Sequence, residues 1–139
     1  MDRIEIIRKK VNALFYKEAV CTIEKELKKL CADKYKKYKI YDRAVLFDED
    51  FKSIHLYEIE ERLISAITKE GVPTIHKSVP FEIKIERYTN YFRVSFHNEY
   101  KDENVSFEPY MTNQSIMNFF DSLTKMIYHY SIWVNEIVV

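Results

Sequence analysis

The chain predicts an α+β fold: an antiparallel meander of three or four strands packed by a long N-terminal helix, a middle helix and a long C-terminal helix. Two observations carry this. Between Pro80 and Met111, apolar and polar residues alternate in three runs separated by the turn-forming clusters YTN and KDEN. On either side of that stretch, apolar residues recur at three- and four-residue steps instead.

The three runs predict strands at 81–87, 91–99 and 105–110. Phe81, Ile83 and Ile85 share one face of the first, Phe92, Val94 and Phe96 one face of the second, and Val105 and Phe107 one face of the third. A turn centred on Thr89-Asn90 makes these faces coincide. It sets Tyr88 opposite Tyr91, Ile85 opposite Val94 and Ile83 opposite Phe96, with Glu86 opposite Arg93 and Glu82 opposite His97 on the other face. One register thus yields an apolar face and a charge-paired face together.

The N-terminal helix is predicted over 3–32. Asp2, with Glu5 three residues on, has the spacing of a cap. Ile4, Ile7, Val11, Leu14, Phe15, Ala19, Ile23, Leu27 and Leu30 form its apolar side, and Arg8, Lys9, Lys17, Glu24, Lys25 and Lys28 its solvated side. Residues 25–39 then hold seven lysines against Glu26 and Asp33. Lys28, Lys29, Lys34, Lys36, Lys37 and Lys39, interleaved with Tyr35 and Tyr38, are the candidate nucleic-acid contacts, since lysines hold phosphates while tyrosine rings stack on bases. A helix C-terminus collecting cations to complement its dipole accounts for the same run.

Residues 43–47 read as an extra strand at the sheet edge. Asp48, Asp50 or Ser53 offers a cap to a middle helix with the stripe Leu56, Ile59, Leu63, Ile64 and Ile67. Gly71, with Pro73 two residues later, closes it.

Thr112 or Asn113 caps the last helix, in which Ile116, Phe120, Leu123, Ile127, Tyr130, Val134 and Ile137 repeat at four and three. That is a 3.5-residue period, the repeat that keeps an apolar seam facing a second helix. Phe119, Met126 and Trp133 add a parallel row. The expectation is therefore a homodimer whose interface contains Phe119, Met126, Tyr130 and Trp133, an isologous contact that closes on itself.

At 139 residues, with 47% hydrophobic and 32% charged, the chain has the size and balance of one globular domain, 1–139. Lys+Arg and Asp+Glu are both 22, so no global field steers it to nucleic acid or an anionic membrane. No apolar run approaches the ~20 residues of a membrane span, and the N-terminus lacks a signal-peptide core, which predicts a cytoplasmic location. Cys21 and Cys31, about 15 Å apart on one helix, are predicted to be free thiols. The Lys, Ile, Tyr, Phe and Asn bias fits an A+T-rich coding sequence, as in low-GC bacteria and their phages.

Chemistry is sparse in this sequence. One glycine, Gly71, cannot build a phosphate cradle, a dinucleotide fingerprint or a nucleophile elbow. His55, His76, His97 and His129 have no metal-ligand spacing, so no catalytic residue, metal or cofactor is assigned. Glu82, Glu86, Arg93 and His97 share the exposed hairpin face, where cross-strand pairing accounts for them. Two function classes remain. The favoured one is a small intracellular protein acting by contact, as an inhibitor, immunity factor or regulator of a protein partner, with eleven tyrosines suited to an interface. A nucleic-acid-binding module using the Lys/Tyr segment is the alternative, with neutral charge against it.

Overall fold

A computed structural model describes residues 2–31, 40–45, 51–60, 63–67 and 70–137. Helix α1 spans Arg3–Cys31. Strands β1 (Ile40–Val45), β2 (Phe51–Ile59), β3 (Leu63–Ile67), β4 (Pro73–Ser78), β5 (Phe81–Tyr88), β6 (Phe92–Asn98) and β7 (Asp102–Phe107) follow. Helix α2 (Asn113–Tyr130) and strand β8 (Trp133–Ile137) complete the described chain. The strands form a five-stranded sheet, β1-β2-β5-β6-β7, and a three-stranded sheet, β3-β4-β8, every described pair antiparallel.

The β5–β6 hairpin has the predicted register: Ile83 pairs with Phe96, Ile85 with Val94, Glu86 with Arg93 and Glu82 with His97. Tyr88 N–H bonds Tyr91 O at 2.8 Å across the Thr89-Asn90 turn, and the two rings stack at 4.5 Å. The third strand differs in extent. It begins at Asp102 and ends at Phe107, because the turn sits earlier, at Glu99-Tyr100. Asn98 makes that turn by accepting from the N–H groups of Tyr100 and Lys101 with its side-chain oxygen, at 2.8 and 3.0 Å. The KDEN cluster is therefore mostly strand, and Val105 and Phe107 keep their predicted face.

Among the described residues there is no middle helix. Its residues form β2 and β3, one arm of a long hairpin whose other arm is β4 and β5. Ser53 opposes Arg87 and Ile59 opposes Phe81; past an interruption the same register resumes with Leu63 opposite Lys77 and Ile67 opposite Pro73. The interruption falls at Pro80, which has no N–H to give the ladder. Beside it, Val79 N–H bonds Ile132 O at 2.9 Å. Gly71 does adopt the left-handed backbone that a helix C′ glycine would need, with φ 80°, but in the loop that closes this hairpin between Ile67 and Pro73. The helical spacing lost to β-branched and aromatic content: Ile54, Tyr57, Ile59, Ile64 and Ile67 all favour the pleated surface of a sheet. The edge strand at 43–47 is real but shifted, β1 being Ile40–Val45 at the outer position of its sheet. Residues 46–50 lie outside the described residues.

Helix α2 starts where predicted, Thr112 accepting from Ser115 N–H at 3.2 Å, but it ends at Tyr130 rather than at Ile137. Ile132, Trp133, Val134 and Ile137 are again β-branched or aromatic, and β8 pairs with β4 instead of extending the helix. The predicted 3.5-residue row is thus cut short. Val134 and Ile137 belong to a strand.

Both described helices lie on one face of the five-stranded sheet. Tyr16, Ala19, Ile23 and Leu27 of α1 and Phe119, Leu123, Ile127 and Tyr130 of α2 enclose the inward residues of β2, β5, β6 and β7. Phe15 meets Phe120, and Tyr128 of α2 donates to Glu26 of α1 at 2.7 Å, so the helices run in the same direction. That bond holds the Glu26 carboxyl below its ordinary pKa and the Tyr128 hydroxyl above its own. Asn12, only 2% exposed, fixes the other end by donating to Tyr88 O at 3.0 Å. Asp2 caps α1 as predicted, accepting from Glu5 N–H at 2.8 Å.

Candidate contact surface

Three surfaces present chemistry to solvent. The first is the sheet face opposite the helices. There Glu86, though buried, accepts from Tyr88 OH at 2.9 Å and faces Arg93 at 3.5 Å and Lys84 at 3.8 Å, while Arg93 donates to Tyr88 OH at 2.9 Å. Burial, followed by the hydrogen bond to Glu86, pushes the Tyr88 hydroxyl up to about 12. The predicted Glu86–Arg93 pairing is realised, with a tyrosine added to it. His97 opposes Glu82 in the ladder, but its Nδ1 pairs with Asp102 of β7, and that contact raises its pKa above the usual histidine value. Each of these charges already has a charged or hydrogen-bonding neighbour within the sheet, which is the behaviour of cross-strand pairs.

The second is an open cleft of about 520 Å³ at the hairpin interruption, with Ile59, Pro80 and Phe81 between the carboxylates of Glu58, Glu60, Glu82 and Glu99. His97 and Asn98 complete it. Among the described residues, no group of three or more His, Cys, Asp or Glu is placed to hold a metal ion. Nor, among them, is any helix long and apolar enough to cross a membrane.

The third is the outer side of α1, and here the structure departs furthest from expectation. Ile4, Ile7 and Leu14, predicted to be core, are 60%, 51% and 58% exposed, and Val11 between them is half-buried. The residues that do face the sheet are Asn12, Tyr16, Ala19, Ile23 and Leu27. At 100° per residue this true core row lies roughly 140° around the helix from the 4/7/11/14 row. The expected single stripe is really two. A helix against a flat sheet buries one narrow face, and the 4/7/11/14 row points away from it; further along α1, from Phe15 on, a groove of about 540 Å³ lies between α1 and α2. Phe15, Ile116, Met117 and Phe120 line that groove, with Glu18 and Asp121 at its polar end. Met117 is itself 61% exposed. The signal for this surface was present in the sequence as an apolar face too wide for one sheet contact.

The predicted site residues scatter. Phe119 and Tyr130, expected at a seam between two copies, are core residues of this chain: Phe119 meets Phe92 and Phe107 edge-on at 5.5 and 5.7 Å, and Tyr130 packs against Phe81 and Phe96. Met126 packs half-buried against the same core, and Trp133 lies on β8 opposite Ser78. The sheet covers Phe119 and Tyr130 on the face of α2 that the seam would have used, while α1 meets Phe120 and Tyr128 beside it. Of the candidate nucleic-acid contacts, Lys28 and Lys29 are exposed on the last turn of α1, and Lys29 pairs with Glu26 at 3.3 Å. Lys34, Tyr35, Lys36, Lys37, Tyr38 and Lys39 lie outside the described residues. Cys21 is an exposed free thiol.

Compared with known proteins, the chain matches no family model, no curated protein and no solved structure.

Proposed function

We propose that this is an intracellular binding protein that acts by contact, as an inhibitor- or immunity-type regulator of a protein partner, with the helical layer as its working face. One observation carries the reading. Ile4, Ile7 and Leu14 are exposed at three- and four-residue steps along one face of α1, with Met117 exposed on α2; the other exposed large side chains, Ile6, Ile67, Val72, Tyr100, Tyr110 and Tyr128, do not continue that row. Scattered surface leucines are ordinary in soluble proteins, but a contiguous row beside a groove is the feature of a surface that is covered in use. The sheet face offers less, because its charges are spent on one another.

Capture from extracts of the source cell, using the wild type and the double variant Ile7→Glu/Leu14→Glu side by side, tests this. A protein retained by the wild type and released by the variant, with circular dichroism unchanged, is the expected result. Equal recovery by both forms overturns it, as does recovery of nucleic acid alone.

A further inference from the structure

The charges beside the apolar band narrow what can cover it. We infer that the exposed Ile4, Ile7, Val11 and Leu14 row of α1 receives an amphipathic α-helix of another protein, one carrying acidic residues along the edge that meets Arg3, Lys10 and Lys17. This rests on the reading of the helical layer as the contact face. Ile4, Ile7, Val11 and Leu14 step by three, four and three, the a/d spacing with which one helix presents itself to another over successive turns. Arg3, Lys10 and Lys17 repeat at seven residues, all exposed, along the side of that row away from α2. In heptad terms they occupy one flanking position three times over, the position whose charge selects the partner helix and its direction. The other flank is different. Arg8 lies over the Tyr110 ring at 5.2 Å and Phe15 packs against Phe107 at 4.8 Å, so that side is closed by this chain's own residues.

A second copy of the chain fits poorly. Antiparallel pairing through the row would set Lys10 near the other copy's Lys10 and Arg3 near its Lys17, and parallel pairing would set Arg3 near the other copy's Arg8; like charges at such positions repel. An anionic lipid surface fits the cations but not Glu18, which continues the apolar row after Leu14, or Asp121 across the groove from it. An incoming helix accommodates both, with acidic residues over Arg3, Lys10 and Lys17 and a cation at the Glu18 and Asp121 end. That polarity also fixes which way the helix lies.

The test uses the whole chain and two synthetic three-heptad peptides with Leu at a and d, one with Glu and the other with Lys at e and g. Fluorescence anisotropy at low salt should show the Glu peptide binding about tenfold more tightly than the Lys peptide, since three exposed ion pairs replace three repulsions. High salt should narrow the difference. Arg3→Glu/Lys10→Glu/Lys17→Glu should reverse the order, and Ile7→Glu/Leu14→Glu should weaken both. All five positions are solvent-facing, and circular dichroism checks that each variant folds. Equal binding of the two peptides, binding of neither, or an order unmoved by the triple variant overturns the inference. So does sedimentation showing a wild-type dimer that Leu14→Glu dissociates, which assigns the band to a second copy. Phosphatidylserine vesicles that bind the wild type while the peptides do not would assign it to lipid. If cellular capture depends on Ile7 and Leu14 while the peptides are not discriminated, the contact reading stands and only the acidic helix falls.

Discussion

The two helices carry similar apolar patterns and use them differently. Every apolar position predicted for α2 up to Tyr130 is buried or half-buried against the sheet and α1, whereas α1 puts Asn12, Tyr16 and Ala19 against the sheet and leaves Ile4, Ile7 and Leu14 outside. What differs is the number of neighbours each helix has. Helix α2 sits between the sheet and Phe15 of α1, so both its rows, Phe119 with Met126 and Phe120 with Leu123, find protein on them. Helix α1 has one neighbour on its flank, and its first half projects one apolar row where the chain has nothing to lay on it. Apolar periodicity thus reports that a helix is amphipathic. It does not report which of two rows the fold will cover.

Truncating one residue from each row should separate the two helices by the largest margin. Phe119→Ala, which opens a hole among Phe92, Phe107 and Phe120, should cost about 3 to 5 kcal/mol in urea unfolding. Ile4→Ala should cost no more than about 0.5 kcal/mol, as for a surface position. If the two costs were alike, α1 would be seated with its 4/7/11/14 row inward and the contact surface would vanish.

Asn12 is the next largest effect expected, and the least intuitive, being a buried polar residue in the row that wins. Its amide bonds the carbonyls of Tyr88 and Tyr91, so it ties α1 to the β5–β6 turn. Asn12→Ala should cost about 1 to 3 kcal/mol by removing the donor that the two carbonyls share, Tyr91 O keeping the N–H of Tyr88. Asn12→Leu, more apolar and of similar size, should not recover the loss. Recovery by leucine would mean that the position needs only bulk.

Legibility divides along the same line. The β5–β6 hairpin was readable because a period of two, a turn dipeptide and paired charges all select one register, and a one-residue slip would reverse every face. The β2–β3 arm was not, because Leu56, Ile59, Leu63 and Ile67 fit a helical stripe as well as a strand that is apolar on both faces. Only the long-range partner, β4 and β5, decides between them. The same holds at Ile132, where β4 draws the chain out of α2. As for the contact surface, Ile4, Ile7, Val11 and Leu14 were identified as apolar and helical and assigned to the core side, because a polar residue such as Asn12 does not announce itself as core, and Met117 was not singled out.

A smaller effect sharpens the way the helices are joined. Tyr128→Phe removes the bond to Glu26 and should cost about 0.5 to 1.5 kcal/mol at neutral pH. The Glu26 carboxyl titrates below its ordinary value in the folded chain, chiefly because of that bond. A group whose folded pKa is depressed contributes stability above its unfolded pKa and loses it as pH falls through the folded one. The gap between wild type and variant should therefore be constant at neutral pH and close on the acid side, below the ordinary carboxylate range. A gap independent of pH would mean that the Tyr128 hydroxyl matters for something other than Glu26.

The smallest effect expected is the one on which the functional reading turns. Leu14→Ser replaces a side chain that is 58% exposed, so little apolar area returns to water and no cavity forms. The helical backbone there is continuous, and serine's lower helix propensity costs only a few tenths of a kcal/mol at an exposed interior position. Stability should stay within about 0.5 kcal/mol of wild type, and solubility at high concentration should rise, since an apolar patch is broken up. Partner capture should nevertheless weaken, because the proposed contact covers Leu14. That dissociation of effects is what separates a surface kept apolar for a partner from one that is simply loose packing. A Leu14→Ser protein that lost 2 kcal/mol or more would place Leu14 in the fold's own core. One that kept both full stability and full capture would leave the band without a role.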